Sequence, residues 1–442
     1  MTPHPRALRT DLPAADSPSA ALPQIATGRL VNGLDVLVLP SRRSPVVTHA
    51  LWYRNGAIDD SAGKSGTAHF LEHLMFKGTE RYPAGHFSKA LAAVGGEENA
   101  FTSWAYTCYH QKVPAVHLRT CMAYEADRMR GLRFDEAEIA SERDVVLAER
   151  GMHDDSDPAR LMQEALQAAA FPAHPCGRPI IGWRHEIETL GRADVEAYYR
   201  RFYTPENALL IVAGDVEPDA ALEMAADVYG PIPPSGMSLD RSHPVDPPRR
   251  GRRLLIVAER SIRQPRLRRL HVVPSPRRAV PGEAEALELL AHLLAGDQTC
   301  ILPRRLVVET SLATSVGAGY MGTVFPDATV FALSGTPSAG ITPEQIDTAL
   351  DGILAELAET GFPEADLARA KRQIVAEAVY EQDNHSALAR RYGAALCCGL
   401  SHEDIALWRS RVEAVTDDDL RCALRHLDPR SAVSGHLVEA TA

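Results

Sequence analysis

The order of hydrophobic and polar positions divides the first part of the chain into strands and helices. Apolar residues alternate or run together in "RLVNGLDVLVLP", which also carries an Asn-Gly turn, and in "PVVTHALWYRNGA" and "ENAFTSWAYTCYHQKVP". These patterns predict short strands, the last of them a strand pair. From Val116 onward the apolar spacing is helical, as in residues 134–152, and a strongly apolar strand in "FYTPENALLIVAGDV" closes the segment.

The same order of elements recurs in the second part of the chain. Strand patterns in "RRLLIVAE" and "RLRRLHVVPS" precede a helical pattern in "GEAEALELLAHLLAG", further strand patterns up to Gly335, and a long helical stretch from Pro343. Residues 134–150 also align without a gap with residues 362–378. A repeat of this kind predicts an α+β fold of two homologous domains in tandem, each a mostly antiparallel sheet packed with helices.

Length and composition suggest where these domains begin and end. The 442 residues exceed what a single hydrophobic core organises, and a proline-rich stretch separates the two halves of the repeat. We predict a disordered or loosely draped N-terminal tail at 1–25, an α+β domain with the candidate site at 26–230, a proline-rich linker at 231–250 and the homologous α+β domain at 251–442.

Charge and hydropathy exclude several classes of partner. The chain has 47 basic and 58 acidic residues, a net charge of −11, so no basic field attracts nucleic acid. No run of about eighteen apolar residues predicts a membrane span, and the N-terminus lacks the apolar region of a secretory signal. The seven cysteines include no CxxC pair, which favours a reducing compartment. We therefore expect a cytoplasmic protein, with the periplasm left open.

The segment "GTAHFLEHLMFKG" carries the densest set of chemically active side chains. On a helix, His69, Glu72 and His73 share one face, because they are three and four residues apart. Two imidazoles in adjacent turns can each place a nitrogen about 2.0–2.1 Å from one zinc ion, and Glu72 can then act as a base on a water molecule. This HxxEH order is the reverse of HExxH. The alternative is a surface helix with two exposed histidines.

A third zinc ligand is available in "SERDVVLAER". Glu142 and Glu149 are two helical turns apart and therefore lie on one face of a helix. The four residues before Glu149 are apolar, so part of this helix faces a core. The alternative is a solvated acidic stripe.

The second half of the repeat has lost the polar set. When "FLEHLMFKG" is placed against "LLAHLLAGD", His292 lies opposite His73, but Ala291 and Glu288 stand opposite Glu72 and His69. Only the first copy retains all three side chains, which indicates that this copy is the functional one.

These pieces together resemble the pitrilysin and mitochondrial-processing-peptidase family of zinc metallopeptidases, in its bacterial two-domain branch. "GTAHFLEHLMFKGT", "NAFTS", "SERDVVLAER", "HPCGRPIIGW" and "FYTPENALLIVAGDV" occur in the family's order. The resemblance implies that His69, His73 and Glu149 bind one zinc ion per chain and that Glu72 is the general base. It also implies that Glu142 supports a ligand histidine.

The resemblance further implies a zinc endopeptidase that cleaves unstructured peptides. In the family, the strand matching "NAFTS" receives the extended substrate as an added strand, which carries Asn99, Ala100 and Phe101 over as substrate-binding residues. For Phe101, an ordinary buried strand position is the alternative.

Two departures from the family pattern concern catalysis. Ala105 replaces an acid that often follows the strand, and Ile301 and Thr314 stand where the second domain usually has an arginine and a tyrosine. The resemblance therefore implies the zinc-bearing half of a dimer, with a homologous partner subunit that carries the Arg/Tyr pair, or otherwise a homodimer. The alternative is a non-catalytic structural or assembly subunit.

Two weaker motifs lead to no site. "GAGYMG" at Gly317–Gly322 has the spacing of a dinucleotide loop, but a strand pattern with Pro326 follows it instead of a helix. "HDD" at His153–Asp155 comes just past a helix, where we expect a capping or solvent-facing role.

Overall fold

The chain forms two β-sheets, one in each half of the sequence, with helices packed on both. The structure is a computed structural model that describes residues 25–237, 239 and 241–440. The expected tail at 1–25 lies outside the described residues, apart from Ile25. We call the parts of the chain that contain the two sheets the first and the second domain.

The first sheet has six strands in the order β1-β2-β6-β3-β5-β4, and the second has five in the order β7-β11-β8-β10-β9. The strands of the first sheet are β1 Ala26–Arg29, β2 Asp35–Pro40, β3 Val46–Tyr53, β4 Glu97–Thr102, β5 Thr107–Pro114 and β6 Ala208–Gly214. Those of the second are β7 Arg253–Glu259, β8 Arg266–Pro274, β9 Ala313–Tyr320, β10 Ala328–Pro337 and β11 Val433–Glu439.

The two sheets have the same topology once the short edge strand β1 is set aside. Each has one parallel pair, β2 with β6 and β7 with β11, and all other pairs are antiparallel. In both, the third strand along the chain, β4 or β9, lies at an edge of its sheet. The predicted tandem of two homologous, mostly antiparallel α+β domains is therefore confirmed.

Fourteen α-helices are present among the described residues. In the first domain they are α1 Thr67–Leu74, α2 His86–Ala93, α3 Leu118–Gly131, α4 Glu136–Arg150, α5 Pro158–Ala170, α6 Arg184–Ile187, α7 Arg192–Phe202 and α8 Pro218–Tyr229. In the second they are α9 Glu283–Ala295, α10 Pro343–Thr360, α11 Glu364–Glu381, α12 His385–Cys397, α13 His402–Ala414 and α14 Asp417–Leu424. No described helix has the length and apolar character needed to cross a membrane.

Three clusters of buried apolar side chains stabilise this arrangement. Each domain has its own cluster between its sheet and its helices. The third contains residues of both domains, including Trp52 and Leu209 of the first and Phe325, Tyr392 and Val433 of the second. The domains are therefore joined by a common core.

Two local details differ from simple expectations. Helix α1 is regular only to Leu74 and continues as a 3-10 turn, Met75–Lys77, before Gly78. Gly78 has a φ of 92°, and a Cβ there would lie 2.5 Å from the carbonyl oxygen of Tyr82, so glycine is required. The strand predicted across Pro326 begins only at Ala328, because Pro326 lies in the preceding loop.

Candidate metal centre

Helices α1 and α4 bring three potential metal ligands together. One ligand atom from each of His69, His73 and Glu149 lies within 4.8 Å of the other two. Nε2 of His73 is 3.3 Å from Oε2 of Glu149, and Nε2 of His69 is 4.0 Å from the same oxygen. Tetrahedral zinc with bonds of about 2.0–2.2 Å places its ligand atoms roughly 3.3–3.6 Å apart, so the His73–Glu149 pair has this separation and His69 would move slightly closer.

The position of α1 follows from its N-terminus and its apolar face. The side chain of Asp60 accepts hydrogen bonds from the backbone N–H groups of Gly66 and Ala68, at 2.8 and 2.9 Å. These groups belong to the first turn, where a helix has unsatisfied donors. On the opposite face, Phe70 and Leu71 are fully buried in the core of the first domain. The polar face with the histidines is therefore turned toward α4.

Glu142 fixes the orientation of one ligand. Nδ1 of His73 donates a hydrogen bond to Oε1 of Glu142 at 3.0 Å, and Lys77 forms an ion pair with the other oxygen of that carboxylate. Because Glu142 holds the Nδ1 proton, Nε2, which faces Glu149, is the nitrogen that can give up its proton and offer a lone pair to a metal. A carboxylate behind a ligand histidine is the usual arrangement around protein metal sites.

Glu72 lies beside the ligands and has a different environment. Burial raises the pKa of Glu72 above its usual value, against the opposing effect of a 2.5 Å hydrogen bond donated by Oγ1 of Thr102. Thr102 belongs to the edge strand β4, so this bond joins the helix to the sheet edge. A carboxylate with a raised pKa is better suited to accept and return a proton near neutral pH.

The charge states of the three ligands suit a metal ion. Burial, followed by the neighbouring His73, lowers the pKa of His69 to about 4, so its ring is neutral at pH 7. The hydrogen bond with His73 holds the pKa of Glu149 below its usual value, so it is a carboxylate. Nδ1 of His69 is buried and has no hydrogen-bond partner among the described residues. The two carboxylates beside His73 raise its pKa, so a metal would take the place of its Nε2 proton. Two imidazoles and one carboxylate with an open side then match the donor set of catalytic zinc.

An open cavity of about 810 Å³ adjoins this cluster. Apolar residues Trp104, Pro179, Ile180 and Ile181 form part of its wall, and polar residues of α5 form another part. Ala100, Phe101 and Thr102 of β4 also contribute, which places a sheet edge beside the ligands.

The three residues expected to bind substrate lie in different surroundings. Ala100 and Phe101 border the cavity, but the ring of Phe101 contacts Trp52 at a centroid distance of 5.4 Å and lies under the guanidinium of Arg390 at 4.3 Å. Asn99 is exposed, and its Oδ1 accepts a hydrogen bond from the N–H of Ala100 at 2.8 Å.

Several residues around the centre were not predicted from the sequence. His153 and Asp154 of the HDD motif line the cavity, because α4 continues into a π-helical turn, Gly151–Asp155, instead of ending in solvent. Thr102 and Asp60 were also missed. For Asp60, an acid a few residues before a helix start is a recognisable signal, whereas nothing in the sequence shows that Thr102 meets Glu72.

Known peptidases are similar in sequence to this chain. Residues 36–183 match the family model described as insulinase (peptidase family M16), and residues 189–374 match the model described as the peptidase M16 inactive domain. A protein of Mycobacterium tuberculosis named as a zinc protease is 31% identical over 93% of this chain and 92% of its own length. Zinc protease PqqE of Helicobacter pylori is 26% identical over 83% of this chain and 82% of its own length.

Solved structures share the fold. The crystal structure of a protease from Helicobacter pylori has a TM-score of 0.89 and 24% sequence identity, and covers 94% of this chain and 100% of its own. Pitrilysin has a TM-score of 0.77 and 18% identity, with 95% of this chain and 45% of its own covered. Together with the two family models and the mycobacterial relative, these matches confirm the resemblance found in the sequence: the chain belongs to peptidase family M16.

Proposed function

We propose that the chain is a zinc metalloendopeptidase that hydrolyses unstructured peptides. The observation that carries this proposal is the convergence of His69, His73 and Glu149, with Glu72 in the same cavity wall. The names of the relatives as zinc proteases support it. The proposed zinc content is one ion per chain.

The protein's own side chains have separate roles in this mechanism. Zinc, when bound, supplies a Lewis acid that polarises the peptide carbonyl and acidifies water. Glu72 accepts a proton from the attacking water and delivers it to the leaving amine. Thr102 holds the Glu72 carboxylate in place through its hydrogen bond, and Glu142 keeps the Nδ1 proton of His73.

The substrate is an extended segment that adds to the edge of the first sheet. Strand β4 is the outermost strand and borders the cavity with its final residues. An edge strand presents unpaired backbone N–H and C=O groups, which only an extended peptide can match. We assign Asn99, Ala100 and Phe101 to this contact, with Ala100 and Phe101 closest to the metal ligands.

We further propose that activity requires a homologous partner subunit, or a second copy of this chain, that supplies an arginine and a tyrosine. Ile301 is only 3% exposed, in the core of the second domain, and Thr314 donates a hydrogen bond to the carbonyl of Thr336. Neither residue offers a charged or phenolic group to a substrate.

All seven cysteines are free, which supports a reducing compartment such as the cytoplasm.

The second candidate function is a non-catalytic assembly subunit of a peptidase-like complex. The absence of the Arg/Tyr pair favours it, whereas the complete ligand set opposes it. Purified, well-folded chain without zinc after growth in zinc-containing medium would support this candidate.

The central test is Glu72→Gln. We expect the variant to retain one zinc ion per chain, because Glu72 is not a ligand, and to lose about a hundredfold to ten-thousandfold in peptide cleavage rate. Zinc is measured by atomic emission and cleavage with a quenched fluorescent peptide. Wild-type cleavage by Glu72→Gln would overturn the assignment of the base.

The partner requirement is tested separately in the same assay. Cleavage is measured with the chain alone and with a co-encoded homologue that carries the Arg/Tyr pair. Full activity of the monomeric chain would refute the need for any partner, whereas activity that follows dimer concentration would support the homodimer.

A further inference from the structure

A loop of the second domain packs against the wall of the metal cavity. This loop, residues 321–327, joins β9 to β10. Its Phe325 is 1% exposed, and its ring lies 4.8 Å from the ring of Trp104 and 5.6 Å from that of Phe171, measured between centroids. Both partners belong to the first domain, and Trp104 borders the cavity.

Trp104 connects this loop to the remaining apolar part of the wall. Its indole Nε1 donates a hydrogen bond to the carbonyl oxygen of Arg178 at 2.9 Å. Residues 179–181 come next in the chain and border the cavity. The indole of Trp104 therefore links Phe325 to the segment that precedes residues 179–181.

Asp327, in the same loop, faces His174, which precedes residues 179–181 by five positions. Its Oδ2 lies 3.7 Å from Nε2 of His174 and 3.6 Å from Nδ1 of His243, while Oδ1 accepts a 2.9 Å hydrogen bond from Arg278. These neighbours hold the pKa of Asp327 well below its usual range, and His174 has the largest effect. His174 belongs to the first domain, His243 to the connecting segment and Arg278 to the second domain, so one carboxylate holds three parts of the chain together.

The His174, His243 and Asp327 cluster also has the composition of a metal site. The backbone N–H of Cys176, however, donates to Nδ1 of His174 at 3.1 Å. In the neutral ring the proton is then on Nε2, the nitrogen that faces Asp327, and no lone pair remains there for a metal. His73 has the opposite arrangement, with its proton on Nδ1. The neutral ring of His174 therefore faces Asp327 with an N–H group and not with the lone pair that a second zinc site would need, although Nε2 of His174 and Nδ1 of His243 are buried without a hydrogen-bond partner among the described residues.

We propose that Phe325 and Asp327 are positioning residues through which the second domain shapes the substrate cavity of the first. This inference rests on the proposed peptidase function. The wall that they support consists of Trp104 and residues 179–181 and is apolar, so it receives an apolar side chain of the peptide. The "inactive" domain thus contributes to substrate binding without contacting the metal ligands.

The test uses Phe325→Leu and Asp327→Asn in the full chain, in whichever assembly the wild type is active. For a peptide with phenylalanine beside the cleaved bond, we expect KM to rise about tenfold with kcat within about twofold, because substrate binding is lost and the chemical step is not. For the same peptide with alanine in place of that phenylalanine, we expect a smaller rise in KM. Asp351→Asn is the control, because Asp351 also forms ion pairs, with Arg252 and Arg269, but both partners belong to the second domain, whereas Asp327 also faces His174 of the first domain.

A second readout does not depend on activity. The chain has four tryptophans, so the emission of Phe325→Leu is compared in the wild-type and Trp104→Phe backgrounds. We expect a red shift that is absent in the second background, because it reports the loss of the ring contact with Trp104. If the wild type cleaves no peptide, the proposed function fails, and this comparison alone decides whether Phe325 positions Trp104.

Three results would overturn the inference. The first is an unchanged KM in both variants, and the second is a fall in kcat at constant KM. The third is a wild-type content of two zinc ions per chain that falls to one in Asp327→Asn, which would establish the cluster as a metal site.

Discussion

Partly and fully buried histidines differ in this protein according to what their ring nitrogens face. The ring of His73 faces two carboxylates, which outweigh burial and raise its pKa. His49 is buried against Gln111 and Tyr229, and burial lowers its pKa to about 4. His271 is fully buried on β8, has no partner for either nitrogen among the described residues, and its pKa is lowered by burial to about 3.

His271 should make the folded protein sensitive to mild acid. The unfolded chain binds a proton below about pH 6.5, whereas folded His271 stays neutral down to about pH 3. Its contribution is therefore complete above pH 6.5 and is lost as pH falls. Arg269, Arg252, Asp347 and Asp428 are the charged groups around it. When the pH is lowered from 7 to 5, both proteins lose unfolding free energy. We expect the loss in His271→Leu to be about 2 kcal/mol smaller than the loss in the wild type.

Urea unfolding of both proteins at pH 7 and pH 5 measures how much unfolding free energy each loses, and the difference between the two losses tests the prediction. Other groups, including the proposed zinc ligands, also change protonation between the folded and unfolded chain in this range, but they are common to both proteins and cancel. His185→Leu is the control, because the side chain of His185 is 77% exposed, and its loss should be close to that of the wild type. Equal acid sensitivity of His271→Leu and the wild type would contradict the prediction.

At the scale of elements, the metal centre depends on one pair of helices. Helix α1 provides both histidines, and α4 provides Glu149 and, two turns earlier, Glu142. We expect Glu142→Gln to weaken zinc binding about tenfold to a hundredfold, because the neutral amide polarises the ring of His73 less than the carboxylate does. Competition with a chelator measures the zinc Kd directly, without recourse to activity.

The control for this prediction lies on the same helix. Asp144 is exposed on α4 and loses the same charge in Asp144→Asn. An equal loss of zinc affinity in the two variants would show that the general charge near the site matters and that the contact with His73 does not.

The parts of the site that could be predicted from the sequence are those set by helical spacing. His69, Glu72 and His73 share a face by local geometry, as do Glu142 and Glu149. The contact of Thr102 with Glu72 joins a strand edge to a helix and has no local signature. Helix α4 continues into a π-helical turn that places His153 at the cavity, and this turn packs against α5. The order of apolar and polar residues in the sequence does not show this continuation either.

At the scale of the whole molecule, the repeat was predictable and the contact between its copies was not. Each copy has the same alternation of strands and helices, which is visible in the sequence. The shared core is formed by apolar residues that look no different from those of the separate domain cores. Helix α12 of the second domain packs on β3 and β6 of the first, and Gly393 of this helix lies against the indole of Trp52.

Gly393→Ala tests how closely the two domains fit. A Cβ at this position would lie 2.1 Å from Cε2 of Trp52, and Trp52 is only 1% exposed, so neither group has free space to move into. We expect a loss of about 1–3 kcal/mol in unfolding free energy, as for other overpacked cores. Gly352→Ala, at an exposed position of α10, is the control, because a Cβ there meets nothing within 4 Å and alanine favours the helix by up to about 1 kcal/mol. Urea unfolding compares both with the wild type, and a Gly393→Ala protein as stable as Gly352→Ala would mean that the domains can separate slightly at no cost.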